Sequence, residues 1–372
     1  MNKKSKLVAI IIFIVVLVFP CVSYCFLFKF DKKIDENREL ASFPNSFLTF
    51  PSQFDNWFSD HLPFRSSYIK LYKGVQNSLG KSYENILNKL DIPYYNSIDK
   101  TLFGKDDWLF YLGNNELEYY RGTNLPSQSE LENHLINAQK VYNYFASKGK
   151  KFVIYVAPNK STIYSEFMPK GVKKSSQTSR VDLYNDYFKQ HGEVPFVYAK
   201  DEIISHKDFG QLYFKYDTHW NNAGVYFGIK PLYDSIGLEY KSAELLLSGQ
   251  MAGDLCLIAG MEFKPDTNYH VNFKSEINII KREYNANDTF TVESDNRNGK
   301  HLVVIGDSYR ISMIDFLGKE YETSIFDHRD AYSFQAYYDQ FEEADTIILE
   351  AVERFEGCIW DFIERFVRDY NL

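Results

Sequence analysis

The chain has 372 residues, with 42 Lys plus Arg against 50 Asp plus Glu and a net charge of −8. That balance argues against a nucleic-acid binder, which depends on a basic face to neutralise phosphates. Hydrophobic residues make up 45% and charged residues 25%, so a sizeable core is expected and disorder is excluded for most of the chain; four Cys over this length exclude a disulfide scaffold.

Residues 7–28, LVAIIIFIVVLVFPCVSYCFLF, carry no charge and follow Lys3, Lys4 and Lys6. As a helix rising ~1.5 Å per residue the run reaches about 33 Å, enough to span a bilayer. Residues 1–28 therefore read as a cytoplasmic stub and a single-pass transmembrane signal-anchor, with a cleaved signal peptide as the alternative. Lys29, Lys32, Lys33 and Arg38 leave the flanking charge nearly balanced. A single span ahead of one large domain then places that domain outside the cell membrane. Residues 29–65 read as an extracytoplasmic tether and residues 66–372 as the domain itself. Cys21 and Cys25 lie in the span. Cys256 and Cys358 read as buried free thiols, with a bridge between them as the alternative.

Leu, Tyr and Ile at helical spacing predict one or two helices within 66–92. LFGKDDWLFY (102–111) reads as strand, turn and strand, with the turn at Gly104 to Asp107. Ser127 to Glu130 is a capping box opening a helix to about Lys148, with Gly149 ending it. KFVIYVAP (151–158) is a nearly continuous apolar run, as for a strand buried on both faces. A helix near 179–191, a strand at 194–200 and a helix near 221–236 ending at Gly237 follow. HLVVIGDS (301–308) is another buried strand ending in a turn, then a helix to about Leu317. Strands at 322–327 and 345–354 and a helix at about 358–369 complete the series. Residues 259–299 read as polar and irregular, with short strands at most. Strands alternating with helices predict an α/β fold with an open parallel sheet flanked by helices.

Such sheets carry their chemistry at the carboxyl ends of the strands. In VVIGDSYR, Ser308 stands just past a buried strand at the start of a helix, and Gly306 permits the tight turn. Free N–H groups and the positive end of the helix dipole favour an alkoxide and an oxyanion there. The competing role is that Asp307 or Ser308 merely caps the helix. In FKYDTHWNNAG (214–224), Asp217 and His219 are two apart. A turn can place both on one side, so that the carboxylate orients the imidazole; the competing role is a loop that caps the next helix. No third ligand stands nearby in sequence, so no metal is expected, and no cofactor. Asn159, Lys160 and Tyr164 follow the 151–158 strand and are candidates for substrate contact or site support. Tyr309 and Arg310, beside Ser308, are candidates of the same kind. Glu350 and Arg354 are read as an internal ion pair.

Taken in order, several segments resemble the DHHW proteins, the SGNH-hydrolase-like group that includes the alginate O-acetyltransferases AlgJ and AlgX. They are ENRELASFP (36–44), FSDHLPFRSSYI (58–69), GKDDWLFY (104–111), VAPNKSTIY (156–164), YDTHW (216–220), GDL (253–255), GDSYR (306–310) and EAVERF (350–355). The name-giving motif is DTHW here, with Thr218 in place of its first His. The resemblance implies an SGNH-hydrolase-like fold and assigns Asp217, His219 and Ser308 as a catalytic triad. It adds Gly253, with the Ser308 backbone N–H, as oxyanion donors. It further implies O-acetyl transfer to an extracellular polysaccharide through an acetyl-serine. A membrane-bound O-acyltransferase would supply the acetyl groups, since acetyl-coenzyme A is cytosolic. The alternatives are an acetylesterase using the same residues and a non-catalytic polysaccharide-binding adaptor of a synthase complex.

Overall fold

The structure, a computed structural model, describes residues 94–274, 277–285, 288–330 and 334–372, the helices Phe50–Asp60 and Arg65–Lys89 with Leu90 after them, residues 41–43, and Ile14 and Val18. The expected membrane anchor thus lies outside the described residues, apart from Ile14 and Val18, which are helical. Among the described residues no helix is long and apolar enough to cross a membrane. Most of the 29–65 tether is likewise outside them.

Twelve strands are described: β1 (Ser97–Ile98), β2 (Thr101–Phe103), β3 (Leu109–Tyr111), β4 (Lys151–Ala157), β5 (Phe196–Tyr198), β6 (Ala243–Ala252), β7 (Lys264–Phe273), β8 (Ile279–Tyr284), β9 (Phe290–Ser294), β10 (His301–Gly306), β11 (Thr323–His328) and β12 (Thr346–Val352). Seven form the main sheet, in the order β5-β4-β12-β10-β11-β9-β8. The first five run parallel, as the continuous apolar runs predict. Alternate residues feed two cores, one on each face. Val153, Tyr155, Val304 and Ile348 pack on one side, with the helices Asn222–Ile236 and Tyr309–Leu317. Phe152, Ile154, Val303 and Ile347 pack on the other, with the helices Gln128–Ser147, Arg180–His191, Phe334–Glu343 and Gly357–Asp369.

The wholly parallel sheet is the expectation that needs correction. β9 and β8 join the β11 edge antiparallel, so the sheet is mixed. Only six residues, 295–300, separate β9 from β10. A connection that short cannot cross back over the sheet, so β9 must run opposite to the strands beyond it. Both strands arise from the segment read as irregular. Their alternation is hidden because five of the six β8 residues are exposed. The same segment supplies β7, which pairs over ten residues with β6 as a separate two-stranded ribbon.

Local signals elsewhere act as expected. β2 and β3 form the hairpin around Gly104 to Asp107. Ser127 accepts the Glu130 N–H at 3.2 Å, but the Glu130 carboxylate turns away to Arg180 and Tyr184. The box is therefore half used there, whereas Ser179 and Asp182 complete a reciprocal one. Gly149 and Gly237 end their helices at φ of +74° and +68°. Cys256 and Cys358 are free thiols.

Candidate active site

Asp217 and His219 lie in a loop pinched shut at its base. Tyr213 and Trp220 form an antiparallel bridge. The Phe214 N–H donates to the His219 carbonyl at 3.1 Å, and the Asn221 N–H to the Leu212 carbonyl at 3.0 Å. This closure puts two side chains separated by one residue on the same side. His219 Nδ1 lies 2.7 Å from Asp217 Oδ1. The helix-capping role falls instead to Asn221, whose side chain accepts the Gly224 N–H at 3.1 Å.

Ser308 arrives from β10. Its Oγ lies 2.7 Å from His219 Nε2, across 89 positions of sequence. Capping and chemistry divide between neighbours here: Asp307 Oδ1 accepts the Tyr309 N–H at 2.9 Å, and its Oδ2 accepts the Val352 N–H at 2.8 Å. Asp307 thus ties the helix start to the end of β12 and leaves the Ser308 hydroxyl to His219. The imidazole is 30% exposed, so a substrate can reach the pair.

Gly306 serves this turn through space rather than through an unusual φ. A Cβ at Gly306 would stand 2.1 Å from Glu350 Oε2 and 2.9 Å from Glu350 Cβ. Glu350 is 3% exposed, and its Oε2 accepts the Asp307 N–H, so it has no room to withdraw. Gly306→Ala is expected to cost about 1–3 kcal/mol through overpacking. Thermal denaturation should register a Tm lower by several degrees; an unchanged Tm would mean that the Glu350 wall yields.

The electrostatics favour an ion-pair-like dyad. Burial disfavours the charged form of Asp217, but its bond to His219 outweighs this and holds its pKa well below the usual carboxylate range. Burial likewise opposes the imidazolium of His219, yet the hydrogen bond and charge of Asp217 carry its pKa above the ordinary histidine value.

The other candidate residues lie around this pair, each with its own partners. Lys160 is 2% exposed. Its Nζ donates to the carbonyls of Phe214 at 3.1 Å, Lys215 at 3.3 Å and Asp217 at 2.7 Å, holding the dyad loop from beneath. Burial pulls its pKa down to about 8, against the upward pull of the Asp254 and Asp217 carboxylates. The Tyr164 hydroxyl accepts the Leu212 N–H at 2.9 Å, and its ring stacks on Trp108. The Tyr309 hydroxyl donates to the Thr218 carbonyl at 2.6 Å, with its ring 5.1 Å from that of His219. Arg310 is fully buried; its guanidinium donates to the carbonyls of Asp307 and Asp288 and to the Asp288 carboxylate. Asn159 is buried, with Oδ1 accepting from Arg354 at 3.0 Å. Gly253 precedes the short helix Asp254–Ile258, with φ at +157°. The expected Glu350–Arg354 pair is replaced. The turn after β12 carries Arg354 toward Glu116, 3.6 Å away, while Glu350 faces Asp307.

Three contributors escaped the sequence reading. The Trp220 indole N–H donates to Ser312 Oγ at 2.5 Å, binding the dyad loop to the helix that follows Ser308. Thr218 and Asp254 form a second link. Asp254 stands in the GDL segment, directly after Gly253. It also supplies the third ligand-type group that was missing in sequence: Asp217, His219 and Asp254 offer one ligand atom each within 4.8 Å. Asp217 and His219 are bonded to each other, and Asp254 to Thr218. A cation among them would compete with the bond that orients the imidazole.

Residues 101–246 match the ALGX family, described as the SGNH hydrolase-like domain of the acetyltransferase AlgX. That stretch includes Asp217 and His219, while Ser308 lies beyond it. The probable alginate O-acetylase AlgJ of Pseudomonas putida is 24% identical over 151 residues, or 40% of this chain. The chain spans 35% of the length of that relative. A DHHW family protein from Eubacterium siraeum has a similar structure, with a TM-score of 0.50 and 14% identity over 73% of this chain and 97% of that one. The O-acetyltransferase domain of P. putida AlgJ gives 0.43 and 16% over 68% and 91%. At these identities the structural likeness is one of fold, carried by the E. siraeum protein. The resemblance read from the motifs therefore stands: the chain is similar to the DHHW, AlgJ and AlgX proteins, and its residues 101–246 match the SGNH hydrolase-like domain of that group.

Proposed function

We propose that this protein is an O-acetyltransferase that esterifies hydroxyls of an extracellular polysaccharide through an acetyl-serine. The observation that carries the reading is the unbroken hydrogen-bond chain from Asp217 Oδ1 to His219 Nδ1 and from His219 Nε2 to Ser308 Oγ, with both links at 2.7 Å. The similarity to AlgJ and AlgX supports the acetyl group and the polymer class.

In this reading neutral His219 takes the Ser308 proton as Oγ attacks the acetyl carbonyl. The Ser308 and Gly253 backbone N–H groups receive the oxyanion. Asn159 adds an unspent donor, since its buried Nδ2 has no hydrogen-bond partner among the described residues. The tetrahedral intermediate collapses, His219 passes its proton to the departing donor, and the acetyl group stays on Ser308. A sugar hydroxyl then gives its proton to His219 and attacks. Collapse releases the acetylated sugar, and the proton returns to Ser308 Oγ. Asp217 keeps Nδ1 as the protonated nitrogen throughout.

Residues 7–28 anchor the domain outside the cell membrane in this proposal, and a membrane-bound O-acyltransferase brings acetyl groups across. The test supplies the full chain in detergent with p-nitrophenyl acetate and a panel of oligosaccharides. A transferase yields acetylated sugar, detected by mass. An esterase yields acetate alone, whatever the acceptor. An adaptor binds sugar and turns over neither substrate.

A further inference from the structure

Asp217 is not the only carboxylate that reaches the His219 imidazole. Asp254, at the start of the Asp254–Ile258 helix, accepts the Thr218 N–H on Oδ1 at 2.7 Å and the Thr218 hydroxyl on Oδ2. The same Thr218 Oγ1 lies 3.2 Å from His219 Nδ1. A hydroxyl whose proton is given to Asp254 turns a lone pair elsewhere, and Nδ1 is the group within reach. The backbone N–H of Asp254 donates to Asp217 Oδ2 at 3.1 Å, the oxygen that His219 does not use. Asp254 Oδ2 itself is 3.9 Å from Nδ1. One residue thus braces the orienting carboxylate with its amide and reaches the imidazole through a threonine with its side chain.

We propose that Asp254, acting through Thr218, is a second positioning residue for His219: a carboxylate–hydroxyl arm parallel to Asp217 that orients the imidazole and stabilises its protonated form. This rests on the catalytic reading above. It also gives Thr218, which stands where the DHHW motif has its first histidine, a stated task.

Among the described residues, the charged and titratable groups facing His219 are Asp217 from its own loop, Asp254 from the short helix, Tyr309 from the helix after Ser308, and Arg354 from the turn after β12. The two carboxylates favour the imidazolium and Arg354 opposes it. Removing the Asp254 charge should therefore lower the pKa of His219. The acid limb of activity, where the imidazole loses its proton to become the base, should move down in pH with it.

The experiment measures kcat/KM for p-nitrophenyl acetate against pH, using the full chain in detergent, for the wild type and Asp254→Asn, Thr218→Val and Thr218→Ser. Ser308→Ala is run beside them. Asp254→Asn keeps the backbone N–H to Asp217, so the brace survives while the charge goes. The expected result is a wild-type limb above the ordinary histidine range that moves to lower pH in Asp254→Asn, with a plateau about tenfold lower. Thr218→Val should lose a similar factor, and Thr218→Ser, which keeps the hydroxyl, should recover most of it. An Asp254→Asn limb at the wild-type pH overturns the second arm, as does Thr218→Ser behaving like Thr218→Val. If Asp254→Asn fails to fold, the two Thr218 variants decide. Activity surviving in Ser308→Ala sinks the catalytic reading instead, so the two failures are told apart.

Discussion

Ser308→Ala should abolish both the covalent acetyl adduct and turnover. Wild-type chain exposed to p-nitrophenyl acetate should gain one acetyl group, about 42 Da by intact mass, as expected for covalent catalysis by an activated serine. Peptide mapping should place it at Ser308. The alanine variant should gain nothing and lose at least about 10³-fold in kcat/KM, the scale on which a triad nucleophile acts. The fold should tolerate the change. Asp307, not Ser308, caps the helix, and among the described residues the only hydrogen-bond partner of the Ser308 hydroxyl is His219 Nε2. An unaltered Tm together with lost labelling would therefore separate chemistry from stability. A label that persists in Ser308→Ala moves the nucleophile to another residue.

Asp217→Asn should have an effect nearly as large, for a reason written in its partners. Among the described residues, every hydrogen-bond partner of the Asp217 carboxylate is a donor. Oδ1 accepts from His219 Nδ1 and from the His219 backbone N–H at 3.2 Å, and Oδ2 accepts the Asp254 N–H. An asparagine must set its own NH₂ against one side. Turned toward Asp254, it leaves that N–H unpaired and keeps the imidazole tautomer without the charge behind it. Turned toward His219, it imposes the wrong tautomer. Either way the imidazolium formed during acyl transfer loses its counter-charge, and a loss of about 10³- to 10⁴-fold in kcat/KM is expected. The acid limb should also move to lower pH, because the group that holds the His219 pKa up is gone. Steady-state rates across pH 5–9 check both, and a variant within tenfold of wild type would remove Asp217 from the mechanism.

These expectations draw on two levels of information. The strands at the centre of the sheet were legible because burial on both faces leaves a nearly continuous apolar run, as in β4 and β10. Helix starts and ends were legible where a cap or a left-handed glycine is a local event, as at Ser127, Gly149 and Gly237. The antiparallel edge was not. An exposed strand such as β8 has no apolar alternation to show, and its direction depends on a short connection and on which strand it meets.

The candidate site divides the same way. Asp217 and His219 are two residues apart, so a loop closed by its own backbone is enough to pair them, and the sequence by itself determined that half of the site. The strand–turn–helix pattern around G-D-S also set Ser308 at a strand end, where it could serve as nucleophile or as helix cap. Whether Ser308 meets His219 was for the tertiary structure to decide, because the distance between them is set by the packing of strands and helices 89 positions apart. The same holds for the supports. Lys160 could have faced substrate, and only the position of the dyad loop above it commits its amine to three carbonyls. Arg354 meets Glu116 rather than Glu350 because the chain turns after β12. Asp254 joins the site from a helix 36 positions after Thr218. A short motif can encode which groups are present and how near neighbours face; it carries no record of what the fold brings against them, and hydrogen-bond partners are chosen by that proximity.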